Sequence, residues 1–405
     1  MHAGVGAQNA EVSEGIYATA LSFFDVSDMQ QRWLPEFQYF RAFAILEVIV
    51  FHVAAVSMAG IWLLPSPQRE IVTTIAASTS FAVSQFVFIS GIVLYNKYKR
   101  DFSLRGFYKK RVNSVLWPYL IFSTFYFFYP AVGALLSPAV FQHSVGPVSM
   151  SGVQLLCVYL ISLATGNIGQ MWFILLILQL YVLYPFIAKV YNHSAKHPNI
   201  MVGALAALFI VQILYTWISL VVPPYIGGQW RGLFVSQIFY FVLGIFVCDH
   251  YDSIKNKVTR IPLLPLTILV VPATLYYGVA YFHYSLPEGP SAVYVWLVAI
   301  VGPLYSLLLI VFFLKICILW REPHSVVTRS MERIGEDSFG IYLTHMFYVA
   351  VFGGVLIRLG VGLADLLFYP IVVVSVLVAS YVTVHLIYRL PLSIIIGRPR
   401  KNTAV

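Results

Sequence analysis

The sequence predicts an all-α polytopic membrane protein: about ten transmembrane helices, a short re-entrant or interfacial element near 151–165, and both termini in the cytoplasm. Composition is the first reason. Of 405 residues, 60% are hydrophobic and only 10% charged, whereas a soluble domain is about a quarter charged. The second is the recurrence of apolar runs of about 20 residues, the length that crosses a hydrocarbon core about 30 Å thick. The third is where the basic residues fall between those runs.

The runs lie at roughly 40–64, 71–95, 113–136, 171–190, 200–222, 232–250, 262–283, 292–315, 335–358 and 365–388. An eleventh, SGVQLLCVYLISLAT, is apolar but short. With ten crossings and a cytoplasmic start, all but Arg69, Arg231 and Arg358 of the 25 basic residues face the inner side. If 151–165 also crossed, everything after it would invert and more than half of the basic residues would face outward. The positive-inside bias therefore favours ten crossings. It also accounts for the formal charge of +9 without a nucleic-acid partner, since no soluble basic module is left over.

Before the first run, residues 1–39 form a cytoplasmic segment. Ile16, Tyr17, Ala20, Leu21 and Phe24 share a helical face there, as in a helix lying on the inner leaflet or a packed-down cap. Its first ten residues carry no secretory signal. Residues 40–388 form one membrane domain, and 389–405 a basic cytoplasmic tail. Cys157, Cys248 and Cys317 are far apart and have no metal-ligand spacing, so they read as buried small hydrophobes and no metal site is expected.

Ionisable side chains inside the runs are costly and ask for a reason. RAFAILEVIVFHVAAVSM contains Arg41, Glu47 and His52. Arg41 and His52 are eleven residues apart, so they lie within roughly 20° of each other around a helix and about 16 Å apart along it. Glu47 is about 140° round from His52 and faces another helix, to pair with a base there or to complete a buried ion pair. In SFGIYLTHMF, Ser338, Tyr342 and His345 fall on one face. His345 lies about 15 Å from the start of its run at 335, a depth close to that of His52. An imidazole takes and returns a proton near neutral pH, so two at one level suit a polar cavity with acid–base chemistry, or simply bond each other.

Between the second and third runs, KYKRDFSLRGFYKKR carries seven basic residues and one acid. It is a topogenic signal against anionic headgroups, or a cytosolic site for a phosphate-bearing cosubstrate. Pro118 follows, near a helix start that tolerates or bends at proline. Ser90-Gly91 lets another backbone or a ligand approach closely. Met171-Trp172-Phe173 and Tyr181 read as an outer aromatic belt. Asp249, His250, Glu336 and Asp337 sit at inner ends and receive no role.

RAFAILEVIVFH resembles the opening Arg-x10-His signature of the acyltransferase 3 family of integral membrane proteins. FVFISGIVLY, FYKKRVNSVLWPY, MWFILLILQLYVLYP and SFGIYLTH resemble further landmarks in the same order, so the likeness runs from Arg41 to His345. It implies transfer of an acetyl or other short acyl group from cytosolic acyl-CoA to a sugar or lipid at the cell surface. By this resemblance His52 is the essential histidine, Arg41 its partner, and Arg111 the basic position before the third span. The sequence departs from the pattern at Ser114, where many members have a second arginine.

The resulting expectation is a multi-pass cell-membrane enzyme. Acyl-CoA is its cosubstrate, no cofactor is permanently bound, and the acceptor is a carbohydrate or glycolipid hydroxyl. His52 and Glu47 are the catalytic candidates. Arg41, Arg111, Lys110, Ser90, Tyr342 and His345 are candidates for binding donor or substrate. The rival reading is an exporter of a glycan or small anion that uses the histidines as a proton path.

Overall fold

In hydrocarbon a spanning segment must satisfy each backbone N–H and C=O within itself, so apolar runs of this length fold as helices. The structure, a computed structural model, describes residues 36–58, 66–136, 151–222, 232–284, 291–320, 325–390 and 393–397. Among these, every regular element is helical. In chain order they are α1 (Glu36–Met58), α2 (Ser66–Thr79), α3 (Ala82–Tyr98), α4 (Leu104–Arg111), α5 (Trp117–Leu136), α6 (Gly152–Thr165) and α7 (Trp172–Ser194). Then follow α8 (Pro198–Val221), α9 (Ile238–Asp249), α10 (Tyr251–Arg260), α11 (Leu263–Tyr284), α12 (Ala292–Leu319), α13 (Val326–Arg358) and α14 (Phe368–Arg389). The amphipathic face expected at 16–24 and the tail from 398 lie outside the described residues.

Eight described stretches are long and apolar enough to cross a membrane, which makes the chain a multi-pass membrane protein. The run expected at 71–95 corresponds to two helices, α2 and α3, within one apolar stretch, Pro67–Tyr98. They part at Ser80–Phe81 because the hydroxyls of Ser78, Thr79 and Ser80 bond back to the carbonyls of Ile75, Ala76 and Ala77, in competition with the helix ladder. The run at 113–136 begins with a π-turn, Val112–Leu116, continuous with α4 before it and α5 after it, and this wide turn accommodates Pro118, which has no N–H to give the ladder. In the run at 232–250 the α-helix is confined to the 12 residues of α9. The 14 residues of α6 reach about 21 Å, short of a full crossing. None of them is buried, so α6 stands as a separate element beside the bundle.

Helix α1 is the hub and packs against α2, α3, α12, α13 and α14. Without a hydrophobic drive between helices in lipid, close approach comes from small residues. Gly91 of α3 lies against the Phe241 carbonyl of α9, and Gly244 of α9 lies against the Phe88 carbonyl of α3. The reciprocal contact makes the two helices antiparallel and leaves no room for a Cβ on either side. Gly91 is therefore a packing notch, one of the two uses its neighbourhood suggested.

Polar ties gather at the end where α1 begins. Glu36, 1% exposed, accepts from Tyr251 and from Lys255 Nζ at 2.9 Å, both on α10. Asp249 accepts from Tyr95 at 3.4 Å and Tyr191 at 3.2 Å, while Lys99 lies 3.8 Å away. Tyr388 of α14 donates to Asp337 of α13 at 3.0 Å. Two of the acids given no role by sequence, Asp249 and Asp337, thus join neighbouring helix ends. Cys248 and Cys317 are buried as expected, whereas Cys157 is exposed because α6 packs so little; all three are free thiols.

Candidate active site

Helices α1 and α13 bring the two intramembrane histidines together. Gly335 of α13 lies against the backbone of Gln38 in α1, and further along the same direction His345 meets His52. The helices are therefore parallel, and the absence of a side chain at 335 lets them close. The imidazole centroids are 4.8 Å apart with planes at 64°, and His345 Nε2 lies 3.3 Å from His52 Nδ1.

Backbone carbonyls set both tautomers, because a carbonyl oxygen only accepts. His52 Nδ1 lies 2.8 Å from the Val48 oxygen, and His345 Nδ1 lies 2.6 Å from the Tyr342 oxygen, so each Nδ1 carries the hydrogen. His345 Nε2 is then a lone pair facing the His52 Nδ1–H. The other nitrogen of His52, Nε2, is also a lone pair and bonds to no described residue. His345 is completely buried, whereas His52 is partly exposed. One ring thus carries a lone pair without a partner among the described residues, and the other is its sealed support.

The support is built from three further elements. The Tyr342 hydroxyl donates to the backbone oxygen of Gln170, in the 3-10 turn between α6 and α7. Tyr342 also packs against Phe173 at 5.3 Å. From α5, the Tyr126 hydroxyl donates to the Leu343 carbonyl at 2.8 Å and accepts the Phe347 N–H at 3.3 Å. The Gln170 side chain is buried and meets the Tyr126 hydroxyl. Tyr126 and Gln170 were missed by sequence reasoning. Tyr126 is one aromatic in the run FYFFYP, and Gln170 carries no signal beyond being a polar residue at the head of an apolar run.

Glu47 turns away from the histidines to α3, where Gln85 Nε2 donates to its Oε2 at 2.6 Å. Its partner is an amide, not the base or ion-pair cation expected. Gln85 can pair with an amide as well as with a carboxylate, so Glu47→Gln is expected to keep expression and most turnover. Glu47→Leu, which leaves the buried Gln85 unpaired, should lose about 2 kcal/mol of stability. Thermal melts of the purified variants check both.

The remaining candidates lie nearer the charged end. Arg41 Nη1 donates to Gln38 Oε1 at 3.3 Å, one turn back on α1. Arg111, at the end of α4, places its guanidinium 5.3 Å from the Tyr181 ring, 5.5 Å from Phe107 and 5.9 Å from Tyr98. It also donates to the Tyr98 hydroxyl at 3.3 Å. Tyr181 is therefore a mid-helix wall for Arg111 and no part of an outer belt; Met171 and Phe173 are likewise buried. Lys110 is exposed beside Arg111, and Ser90 is half-buried on α3 next to the Gly91 notch. The structure does not bring Lys110 or Ser90 into contact with the histidine pair. Ser114, in the π-turn, has a buried hydroxyl without a hydrogen bond and lies under Gly397. Among the described residues, no three His, Cys, Asp or Glu side chains cluster as a metal site.

The structure is thus a multi-pass helical bundle with two histidines paired between its central helices. The sequence profile of the acyltransferase 3 family, described as an acyltransferase domain, matches residues 34–385; the chain belongs to that family and is a membrane acyltransferase acting on groups other than aminoacyl. No curated protein and no solved structure matched it.

Proposed function

We propose that the enzyme moves an acetyl or other short acyl group from cytosolic acyl-CoA to a hydroxyl of a carbohydrate or glycolipid at the cell surface. Its seat in this reading is the cell membrane, with both chain ends cytosolic. The observation that carries the proposal is the unpartnered Nε2 lone pair of His52, held in place by the Val48 carbonyl.

In this reading, His52 Nε2 takes the proton of the acceptor hydroxyl as its oxygen attacks the thioester carbonyl carbon. The C–O bond forms, the C–S bond breaks, and the same proton passes from Nε2 to the departing sulfur to give free CoA. While His52 is charged, its Nδ1–H, shared between the Val48 carbonyl and the His345 lone pair, spreads the charge and keeps the ring aligned. His345 thus supports the base instead of touching substrate, and Tyr342 contributes through its backbone carbonyl.

Arg41, Arg111 and Lys110 hold the CoA phosphates at the cytosolic face, with Ser90 along the path of the pantetheine arm. The separation of about 16 Å between Arg41 and His52 on one helix face is comparable to the reach of that arm. Arg111 is preorganised by its three rings, so Arg111→Ala should raise KM for acetyl-CoA about tenfold, the worth of one charge-assisted hydrogen bond, with kcat little changed. Saturation curves on membranes check this.

The direct test supplies radiolabelled acetyl-CoA to inverted membrane vesicles containing the protein, followed by mass spectrometry of the extracted glycans and glycolipids. Label on a glycan or glycolipid hydroxyl is expected. No label above that of vesicles lacking the protein, with a glycan still crossing, would point to the exporter and end this proposal.

A further inference from the structure

We infer that the Tyr126 hydroxyl positions the second histidine through the backbone of the helical turn that carries it. The inference rests on the reading of His345 as the support of a His52 base. Leu343 and Phe347 are four residues apart, so in an unbroken helix the Phe347 N–H would bond only to the Leu343 carbonyl. The Tyr126 hydroxyl engages both of those groups, donating at 2.8 Å to one and accepting at 3.3 Å from the other. A hydroxyl bonded to both ends of one ladder step bears on the orientation of the residues between them.

His345 sits in the middle of that turn. Its Nδ1–H bonds to the Tyr342 carbonyl three residues back, next to the Leu343 carbonyl that Tyr126 engages. That bond fixes the tautomer and leaves Nε2 as the acceptor for His52. Phe347, on the far side of the turn, is gripped by Phe125 at 5.9 Å and Tyr129 at 5.6 Å, both on α5. Three side chains of α5 therefore hold the turn, and one of them enters its hydrogen bonding.

A phenylalanine at 126 would fill nearly the same space without either contact. The helix does not need the hydroxyl for its own completion. Besides the Gln170 side chain, what the hydroxyl meets lies between residues 343 and 347, and His345 is the ionisable group there. Tyr126 is thus a positioning residue; it touches neither donor nor acceptor.

The test measures acyl transfer from acetyl-CoA by the full-length protein in Tyr126→Phe, His345→Gln, the double variant and His52→Ala. Tyr126→Phe is expected to lower kcat about tenfold, in the range of a misplaced catalytic group, with KM for acetyl-CoA within about twofold and an unchanged melting temperature. The double variant should be no slower than His345→Gln alone, because residues that act as one unit are not additive. A purely structural tyrosine would give multiplicative losses or a lower melting temperature at parental kcat, and either result overturns the inference. If Tyr126→Phe does not accumulate, Tyr126→4-methylphenylalanine fills the hydroxyl's volume without a polar atom. The same loss of kcat supports the inference, and a parental rate overturns it. Turnover retained by His52→Ala would instead remove the underlying reading, whereas an inactive His52→Ala beside a fully active Tyr126→Phe would remove this inference alone.

Discussion

His52→Asn should accumulate in the membrane and melt like the parent protein, yet transfer acyl groups about three orders of magnitude more slowly, the upper range for loss of a general base. Asparagine places an N–H close to the position of Nδ1, so the bond to Val48 can survive while the Nε2 lone pair disappears. That separates the two jobs of the ring. If the Val48 and His345 contacts were its whole purpose, the variant would stay active. His52→Ala removes both and should be as inactive, with little further effect on folding because the Val48 bond lies within its own helix. A transfer assay beside a thermal melt decides the matter, and parental turnover in His52→Asn would dismiss this histidine as the base.

The second large effect is expected far from the chemistry. Gly335 has no space for a Cβ, because the Gln38 backbone of α1 occupies it. Gly335→Ala must push α13 away from α1 and should lose roughly 3 kcal/mol or more, at the upper end for overpacking. It should also separate His345 from His52, so that even the folded fraction turns over slowly. Gly244→Ala makes a control: it disrupts the α3–α9 contact by a similar clash but leaves the α1–α13 seam alone. Both variants should melt early, but only Gly335→Ala should lose kcat per folded molecule. Size-exclusion profiles, melts and rates on the same samples check this, and equal kcat in the two variants would contradict it.

The two histidines illustrate how far the sequence could be read. The 3.6-residue repeat put His52 on the face of Arg41 and placed His345 at a similar depth, because rise and rotation within one helix are set by local geometry. Their contact at 3.3 Å depends on α13 docking against α1 in one register, which the periodicity of neither helix contains. Glu47 shows the reverse. Its angle away from His52 was legible, but not its partner, because Gln85 belongs to a separate helix and an amide in an apolar run announces no role.

Tyr126 and Gln170 were invisible for the same reason. Tyr126 acts on the backbone of a distant helix, and Gln170 offers its own backbone oxygen to Tyr342; backbone partners leave no pattern in residue types. Arg111 was recognised as a basic loop residue, but its three aromatic walls come partly from α7.

The sequence by itself determined that this chain is a helical membrane protein, how many apolar runs it has, and which ionisable residues lie within them. Those properties follow from the energy of transfer to hydrocarbon and from the geometry of a single helix. Only the tertiary structure decided which helices touch, where a glycine lets backbones close, and that the two histidines meet. Those depend on packing between segments far apart in the chain, where steric fit at a few small residues selects one arrangement among many that hydropathy alone would allow.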